Sequence, residues 1–260
     1  MADTPTRAEP VTADAARPVR WPMMTVAWRD LTFVHWPVDA GAAGRLMPPG
    51  VRPDLFGGIC YVGLVAFRMH RTGLPGLPPV PYFGSFPETN VRLYSVGPDG
   101  RRGVVFRSLD AARLLPAMVG RAAFRVPYRW SLMQVRRDGD VVSYASNRRW
   151  PGPRARLRMR IRIGDRVTCP SELEHFLTAR WGLHSAWYGD RTFYLPNHHP
   201  AWPLYRATLL GLEEGLLESA GLPEPTIAPV SVLYSPGVSV RFGRPSGCHR
   251  RAVPQGMAAG

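Results

Sequence analysis

The chain contains no lysine. All 33 basic residues are therefore arginine, and with 19 acidic residues they give a formal net charge of +14 at pH 7. A Schiff base with a carbonyl substrate requires a side-chain amine, whereas the arginine guanidinium stays protonated and does not form imines. The sequence therefore excludes lysine-dependent imine chemistry.

Cysteine, long apolar runs and common enzyme motifs are also scarce or absent. Cys60, Cys169 and Cys248 form no CxxC pair, so we predict no disulfide framework and no metal site. HExxH, GxSxG and the phosphate-binding GxxxxGK(S/T) motif are missing, and no GxGxxG joins a strand to a helix, so we expect no cofactor.

No apolar run reaches the roughly 20 residues of a membrane span, and residues 1–19 lack the apolar core of a secretory signal. We expect a soluble, cytoplasmic protein without a membrane partner.

Proline and glycine are abundant, with 28 and 26 residues spread along the chain. They favour many short elements joined by turns. We predict a single domain over residues 20–245, with disordered tails at 1–19 and 246–260. Roughly ten strands and three short helices predict an α+β, mostly β fold, because a sheet that wide tends to close or curl.

Local patterns indicate several of these elements. Residues 154–163 alternate five arginines with apolar side chains, which is typical of a half-buried antiparallel strand. The arginine face fits an exposed surface more simply than a phosphate-binding surface, so we do not expect a nucleic-acid partner. Ser171 and Glu174 have capping-box spacing ahead of a helix, and Pro236 and Gly237 predict a hairpin. The Pro-rich segment 72–87 predicts an ordered loop over the mouth of the barrel.

The stretch FPETNVRLYSVG, residues 86–97, is the best candidate for a site. Strand alternation places Glu88, Asn90, Arg92 and Tyr94 on one face. Arginine can clamp a carboxylate and glutamate can act as acid or base, so this face could line a pocket. The simpler alternative is a surface ion pair. The position of the strand in the middle of the chain favours an interior face.

A second signal is His35 with Asp39 in FVHWPVD. A carboxylate partner can fix the tautomer of a histidine for proton transfer. Alternatively, Asp39 caps the segment that follows it and His35 packs under Trp36. The sequence leaves both interpretations open.

Seven segments together carry a resemblance to a known family. The chain resembles the YqjF-like family of bacterial proteins of unknown function, near the acetoacetate decarboxylase-like superfamily, over about residues 24–245, through TFVHWPVD, LMPPGVRPDLFGG, GLVAFRM, FPETNVRLY, GVVFRSLDA, HHPAWPL and LYSPGVSVRF. The resemblance implies a curled antiparallel sheet closed into a cone-like barrel, with an interior cavity and a few flanking helices. By similarity, Glu88 and Arg92 take the acidic and basic roles of the decarboxylase site. The decarboxylase lysine would fall near SLDAARLLP, where this chain has Ser108, Asp110 and Arg113 and no lysine.

These observations predict a protein that binds a small organic acid or carbonyl compound in a barrel cavity. If it is an enzyme, we expect a lysine-free lyase, isomerase or hydrolase step. The candidate catalytic residues are Glu88, His35 and Asp110, and the candidate binding residues are Arg92, Asn90, Arg68, Tyr94 and Ser108. The alternatives are a non-catalytic small-molecule binding protein in stress or detoxification and a basic nucleic-acid binder. A homo-oligomer is left open.

Overall fold

The computed structural model describes residues 6–78, 84–114, 125–187 and 191–250. The described residues form three short helices and thirteen strands of one sheet. The helices are α1 (Ala40–Arg45), α2 (Glu172–Thr178) and α3 (Leu216–Ser219). The strands are β1 (Met24–Val38), β2 (Arg52–Pro53), β3 (Cys60–Gly73), β4 (Phe86–Val96), β5 (Arg102–Ala111), β6 (Tyr128–Asp138), β7 (Val141–Trp150), β8 (Arg156–Arg166), β9 (Gly182–Ala186), β10 (Arg191–His198), β11 (Tyr205–Glu214), β12 (Ser231–Phe242) and β13 (Ser246–Arg250).

The sheet closes into a barrel, as predicted. Nine strands form the large closure, in the order β5-β6-β7-β8-β11-β12-β1-β3-β4 and back to β5. The barrel is mixed rather than purely antiparallel, because β5 runs parallel to β6. Outside the nine strands, β5 also runs parallel to β9. Residues 112–127 join β5 to β6, which is the length of connection that parallel neighbours require.

A second, small closure shares one wall with the first. The shared strands are β12, β1, β3, β4 and β5, and we call them the wall. At one end of the wall β12 also pairs with β10, and at the other end β5 also pairs with β9. Since β9 pairs with β10, these strands complete the small closure. The wall is therefore covered on both faces. In β4, every residue except the half-buried Pro87 is buried.

Apolar side chains show what each face of the wall packs against. The inner face, towards the large closure, includes Val34, Leu64 and Val91, which cluster with residues of β7 and β8 such as Tyr144 and Met159. The outer face, towards the small closure, includes Phe33, Val65 and Tyr94, which belong to clusters with α2, β9, β10 and residues 202–204. Neighbouring positions of one strand thus reach two separate cores.

Several local predictions can be compared directly with the structure. β8 buries Leu157, Met159 and Ile161 while its intervening arginines are exposed, as the alternation predicts. Ser171 and Glu174 form the reciprocal capping box at the start of α2.

The predicted hairpin about Pro236 and Gly237 is wrong. The residues lie inside the continuous strand β12, which pairs with β1 from Met24 to His35. Pro236 lies opposite the positive-φ residue Asp30, where the ladder is interrupted. A proline has no N–H to donate, so an interrupted position accommodates it within a strand.

Some expectations fall wholly or partly outside the described residues. The loop predicted over residues 72–87 includes residues 79–83. The segment AARLLPAMVGRAAF, whose apolar pattern predicts a short helix, includes residues 115–124. The predicted tail at 1–19 contains no helix or strand from residue 6 onwards, but the Glu9 amide donates to the Gly100 carbonyl at 2.9 Å and Val19 is buried. None of the described helices is long and apolar enough to cross a membrane.

Candidate functional site

The four residues of β4 predicted as a site, Glu88, Asn90, Arg92 and Tyr94, lie on the outer face of the wall. Glu88, Asn90 and Arg92 are only 4, 4 and 9% exposed, and Tyr94 is buried beside them. Within the described residues, Glu88 and Arg92 do not form an ion pair, and neither lies on the surface. A surface ion pair, the simpler alternative from the sequence, therefore does not describe this face.

Arg92 is a buried cation without a carboxylate partner among the described residues. One terminal nitrogen, Nη2, donates to the Leu177 carbonyl at 2.9 Å and to the Tyr94 hydroxyl at 3.3 Å, while Nε has no partner in the described part of the chain. The guanidinium carbon lies 5.5 Å from the ring centroids of both Phe33 and Tyr94. A buried charge is costly unless it is paired, so this guanidinium favours a bound anion.

Glu88 lies on the same face of β4, near the start of the strand, and two neighbouring side chains hydrogen-bond to it. The Tyr128 hydroxyl donates to Glu88 Oε2 at 3.1 Å, and the Asn90 side chain also hydrogen-bonds to the carboxyl group. Burial raises the pKa of Glu88 to about 8, although the bonds from Tyr128 and Asn90 act in the opposite direction. Burial raises the pKa of Tyr128 as well, with Glu88 adding to the shift. Glu88 is therefore mostly protonated at neutral pH and can both give and take a proton near it.

His35 lies level with Arg92 across the sheet, with one strand between them. The register pairs His35 with Gly63 on β3 and Gly63 with Arg92 on β4. A Cβ atom on Gly63 would lie 3.2 Å from both His35 Cδ2 and the Tyr94 hydroxyl, so glycine makes room for this arrangement. His35 is fully buried, and neither ring nitrogen has a hydrogen bond to any residue that the structure describes. Burial, followed by the charge of Arg92, lowers the pKa of His35 well below its ordinary value.

The structure separates His35 from Asp39. The Asp39 carboxylate accepts a hydrogen bond from the Ala42 amide at 2.7 Å and caps α1. His35 packs beside Phe33 and Tyr94 rather than under Trp36, because neighbouring strand residues point to opposite faces. The capping interpretation of Asp39 is the one that the structure shows.

Three further residues belong to this region that the sequence did not single out as site residues. His199 is buried between the rings of Trp181 and Trp202, each 4.6 Å away between centroids, and its Nδ1 lies 2.7 Å from the Pro200 carbonyl oxygen. Burial lowers the pKa of His199 to about 4, and Arg92 contributes to the shift. The indole nitrogen of Trp28 is buried and has no hydrogen-bond partner within the described ranges. The third residue is Tyr128, whose hydroxyl donates to Glu88.

The sequence offered a signal for only one of the three. HHPAWPL drew attention to His199, but a local hydrogen bond was the simpler interpretation, and the bond to Pro200 does exist. Nothing in the sequence links Tyr128 to Glu88, because the parallel pairing of β5 with β6 brings them together. We call Glu88, Asn90, Arg92, Tyr94, His35 and His199 the buried polar cluster.

Asp110 and Ser108 lie on the inner face, apart from the buried polar cluster. Asp110 pairs with Thr89, not with Glu88, so its side chain points into the large closure. Its two oxygens accept from Arg148 Nε at 2.8 Å and Arg148 Nη2 at 2.7 Å, and from Ser108 and Ser131, both at 2.7 Å. The Asp110 carboxylate is fully engaged by these bonds, so Asp110 and Ser108 are not part of the buried polar cluster.

Arg68 is also placed elsewhere. Its Nη2 donates to the Val135 carbonyl at 2.8 Å, and its Nε lies 3.4 Å from the Asp30 carboxylate, with 41% of the side chain exposed. Arg68 therefore does not join Arg92 in holding an anion. Among the described residues, no three His, Cys, Asp or Glu side chains lie close enough together to hold a metal ion.

Comparison with known proteins reveals both a sequence family and a shared fold. Residues 25–239 match the DUF2071 family, which is described as an uncharacterised conserved protein. The chain is 31% identical over 186 residues to the uncharacterised protein YqjF of Bacillus subtilis (strain 168), covering 71% of this chain and 76% of YqjF.

Solved structures match over nearly the whole chain at low identity. An acetoacetate decarboxylase-like enzyme from Sphingomonas wittichii RW1 has a TM-score of 0.59 and 12% identity, with 89% of this chain and 94% of that chain covered. The enduracididine biosynthesis enzyme MppR complexed with pyruvate has a TM-score of 0.56 and 16% identity, with 88% and 92% covered. These structures share the acetoacetate decarboxylase-like fold with this chain.

Proposed function

Since the chain belongs to the DUF2071 family of uncharacterised conserved proteins, we propose its function from its own residues: it binds a small organic acid in the buried polar cluster. The observation that carries the proposal is Arg92, a buried guanidinium with a free Nε and no carboxylate partner among the described residues. An anion from outside would supply the missing charge, and a carboxylate matches the planar arginine fork.

The residues around Arg92 support a small acid rather than a large one. Both of its aromatic neighbours, Phe33 and Tyr94, are completely or almost completely buried, and the guanidinium carbon lies 5.5 Å from each ring centroid, so a ligand that reaches Arg92 must fit between packed side chains. His35 and His199 are held neutral by burial and do not compete with Arg92 as cations. MppR, a protein of similar fold, has been solved with pyruvate. We therefore take pyruvate as the first probe.

Glu88 gives the proposed site a group for proton transfer. Its pKa of about 8 lies close to neutral pH, where acid–base catalysts are most effective. We propose that the Glu88 carboxylate removes a proton from the carbon beside the carbonyl of a bound oxo acid, leaving an enolate, and that the protonated Glu88 returns a proton to the same carbon. Such a step needs no lysine. If no proton transfer occurs, the same cluster serves as a binding site only.

The test is the affinity of the protein for pyruvate, measured by isothermal titration calorimetry. Replacing Arg92 with Gln removes the charge but keeps a polar side chain, and we expect affinity to fall about ten-fold or more, as for a lost charge-assisted pair. Arg158→Gln removes an exposed arginine of β8, 76% exposed at its side chain, and should bind like wild type. Circular dichroism would establish that both variants are folded. Equal affinity in the two variants would remove Arg92 from the proposal.

A further inference from the structure

A cavity of about 390 Å³ lies between the N-terminal segment and the barrel, and its walls include neither Glu88 nor Arg92. The segment that covers it is fixed to the barrel by several bonds. The Arg102 amide donates to Glu9 Oε1 at 2.9 Å, and the Trp181 indole nitrogen donates to the Thr12 carbonyl at 3.3 Å. A volume of this size suits a small ligand. The cavity is therefore a formed feature of the fold, independent of the buried polar cluster.

Positive charge exceeds negative charge on the cavity walls. Four arginines line it against one carboxylate, that of Glu9. The Glu9 carboxylate already accepts from Arg17 at 2.8 Å and from the Arg102 amide, and Arg101 pairs with Asp99. The two remaining arginines thus meet no free carboxylate on these walls.

Arg20 and Arg244 are those two arginines, and neither forms an ion pair or hydrogen bond with another described residue. They lie on adjacent stretches of chain, because the Met23 amide donates to the Phe242 carbonyl at 2.7 Å just beyond them. Both line the same cavity. Two unpaired guanidinium groups in one cavity favour an anion.

Aromatic side chains provide the other part of the site. Trp21 lines the cavity and is 85% exposed, which leaves a large apolar ring in water. Trp181 and Tyr194 also line it, and prolines at positions 10, 18 and 196 complete the apolar walls. A planar ligand ring that stacked on Trp21 would remove this surface from water.

We propose that the cavity binds a planar aromatic anion, with its ring against Trp21 and its phosphate or carboxylate held by Arg20 and Arg244. AMP and benzoate represent the two acid groups, and adenosine and inorganic phosphate represent the ring and the acid alone. Binding of AMP indicates a phosphate ligand, and binding of benzoate without AMP indicates a carboxylate ligand. The acid that the cavity prefers should bind about ten-fold more tightly than adenosine or inorganic phosphate.

Calorimetric titrations of the full chain test this assignment. Arg20→Gln/Arg244→Gln and Trp21→Leu should each weaken binding of the preferred anion about ten-fold, and pyruvate binding should not change. Arg158→Gln/Arg160→Gln removes the same charge from the exposed face of β8 and should bind the anion like wild type. The proposal is overturned if neither AMP nor benzoate binds at millimolar concentration, if adenosine binds as tightly as the preferred anion, or if both arginine pairs have the same effect.

Discussion

The raised pKa of Glu88 makes a quantitative prediction about stability. Its ordinary value is 4.5, and burial raises it to about 8 in the folded protein. Between these values the folded protein keeps a proton that the unfolded chain has released, so the free energy of unfolding falls as pH rises and becomes level above about 8. At about 1.4 kcal/mol per pH unit, the loss over the whole interval is on the order of 5 kcal/mol. Glu88→Gln carries no such proton and should not show this loss.

Urea unfolding of wild type and Glu88→Gln at a series of pH values measures the effect. The difference between the two proteins isolates Glu88, because His35 and His199 are present in both. The pKa values of these histidines are lowered, so they destabilise the fold as pH falls below about 6.5, which is the opposite direction. Glu213→Gln, at a side chain 76% exposed, serves as the matched control. A difference between wild type and Glu88→Gln that stays constant from about pH 5 to about 8 would refute the reasoning.

Two further predictions concern the ion pair of the inner face and the chemistry of Glu88. Arg148→Leu leaves the Asp110 carboxylate buried without its cation, and it should lower the free energy of unfolding by about 3–5 kcal/mol, while Arg158→Leu costs about 1 kcal/mol or less. Equal losses in urea unfolding would contradict this. Wild type should also accelerate the exchange of deuterium into the methyl group of pyruvate in D₂O, followed by proton NMR, and Glu88→Gln should not. Equal exchange in both proteins would remove Glu88 as the proton-transfer group.

Local signals in the sequence were sufficient for much of the fold. The alternation in β8 predicted which side chains are buried, since a strand with one apolar face has one favourable orientation. The capping box at Ser171 predicted the start of α2, because its bonds involve residues three apart. Composition alone excluded a lysine imine mechanism, because that chemistry requires a side-chain amine.

Features that depend on distant pairing could not be predicted in the same way. Gly237 looks like a turn residue, but β1 pairs with residues on both sides of it and keeps β12 continuous. Asp110 resembles a site residue, yet the register places it beside Thr89 and opposite in direction to Glu88. No local pattern reveals that Arg148, 38 positions away, holds it.

The site could be predicted only in part, because it also depends on pairing between distant strands. Alternation in β4 placed Glu88, Asn90, Arg92 and Tyr94 on one face, but it could not show that β9, β10 and α2 cover that face. His35 joins Arg92 through the register of β1, β3 and β4. Such registers are set by the whole sheet, so a single strand does not encode them.

The most direct test of the central claim is the small-acid content of the purified protein. Native mass spectrometry, followed by identification of acids released on denaturation, would compare wild type with Arg92→Gln, and Arg158→Gln would serve as the control. A small carboxylic acid bound to wild type and to the control, and missing from Arg92→Gln, is the predicted result. Equal acid content in wild type and Arg92→Gln, including none in either, would contradict the claim.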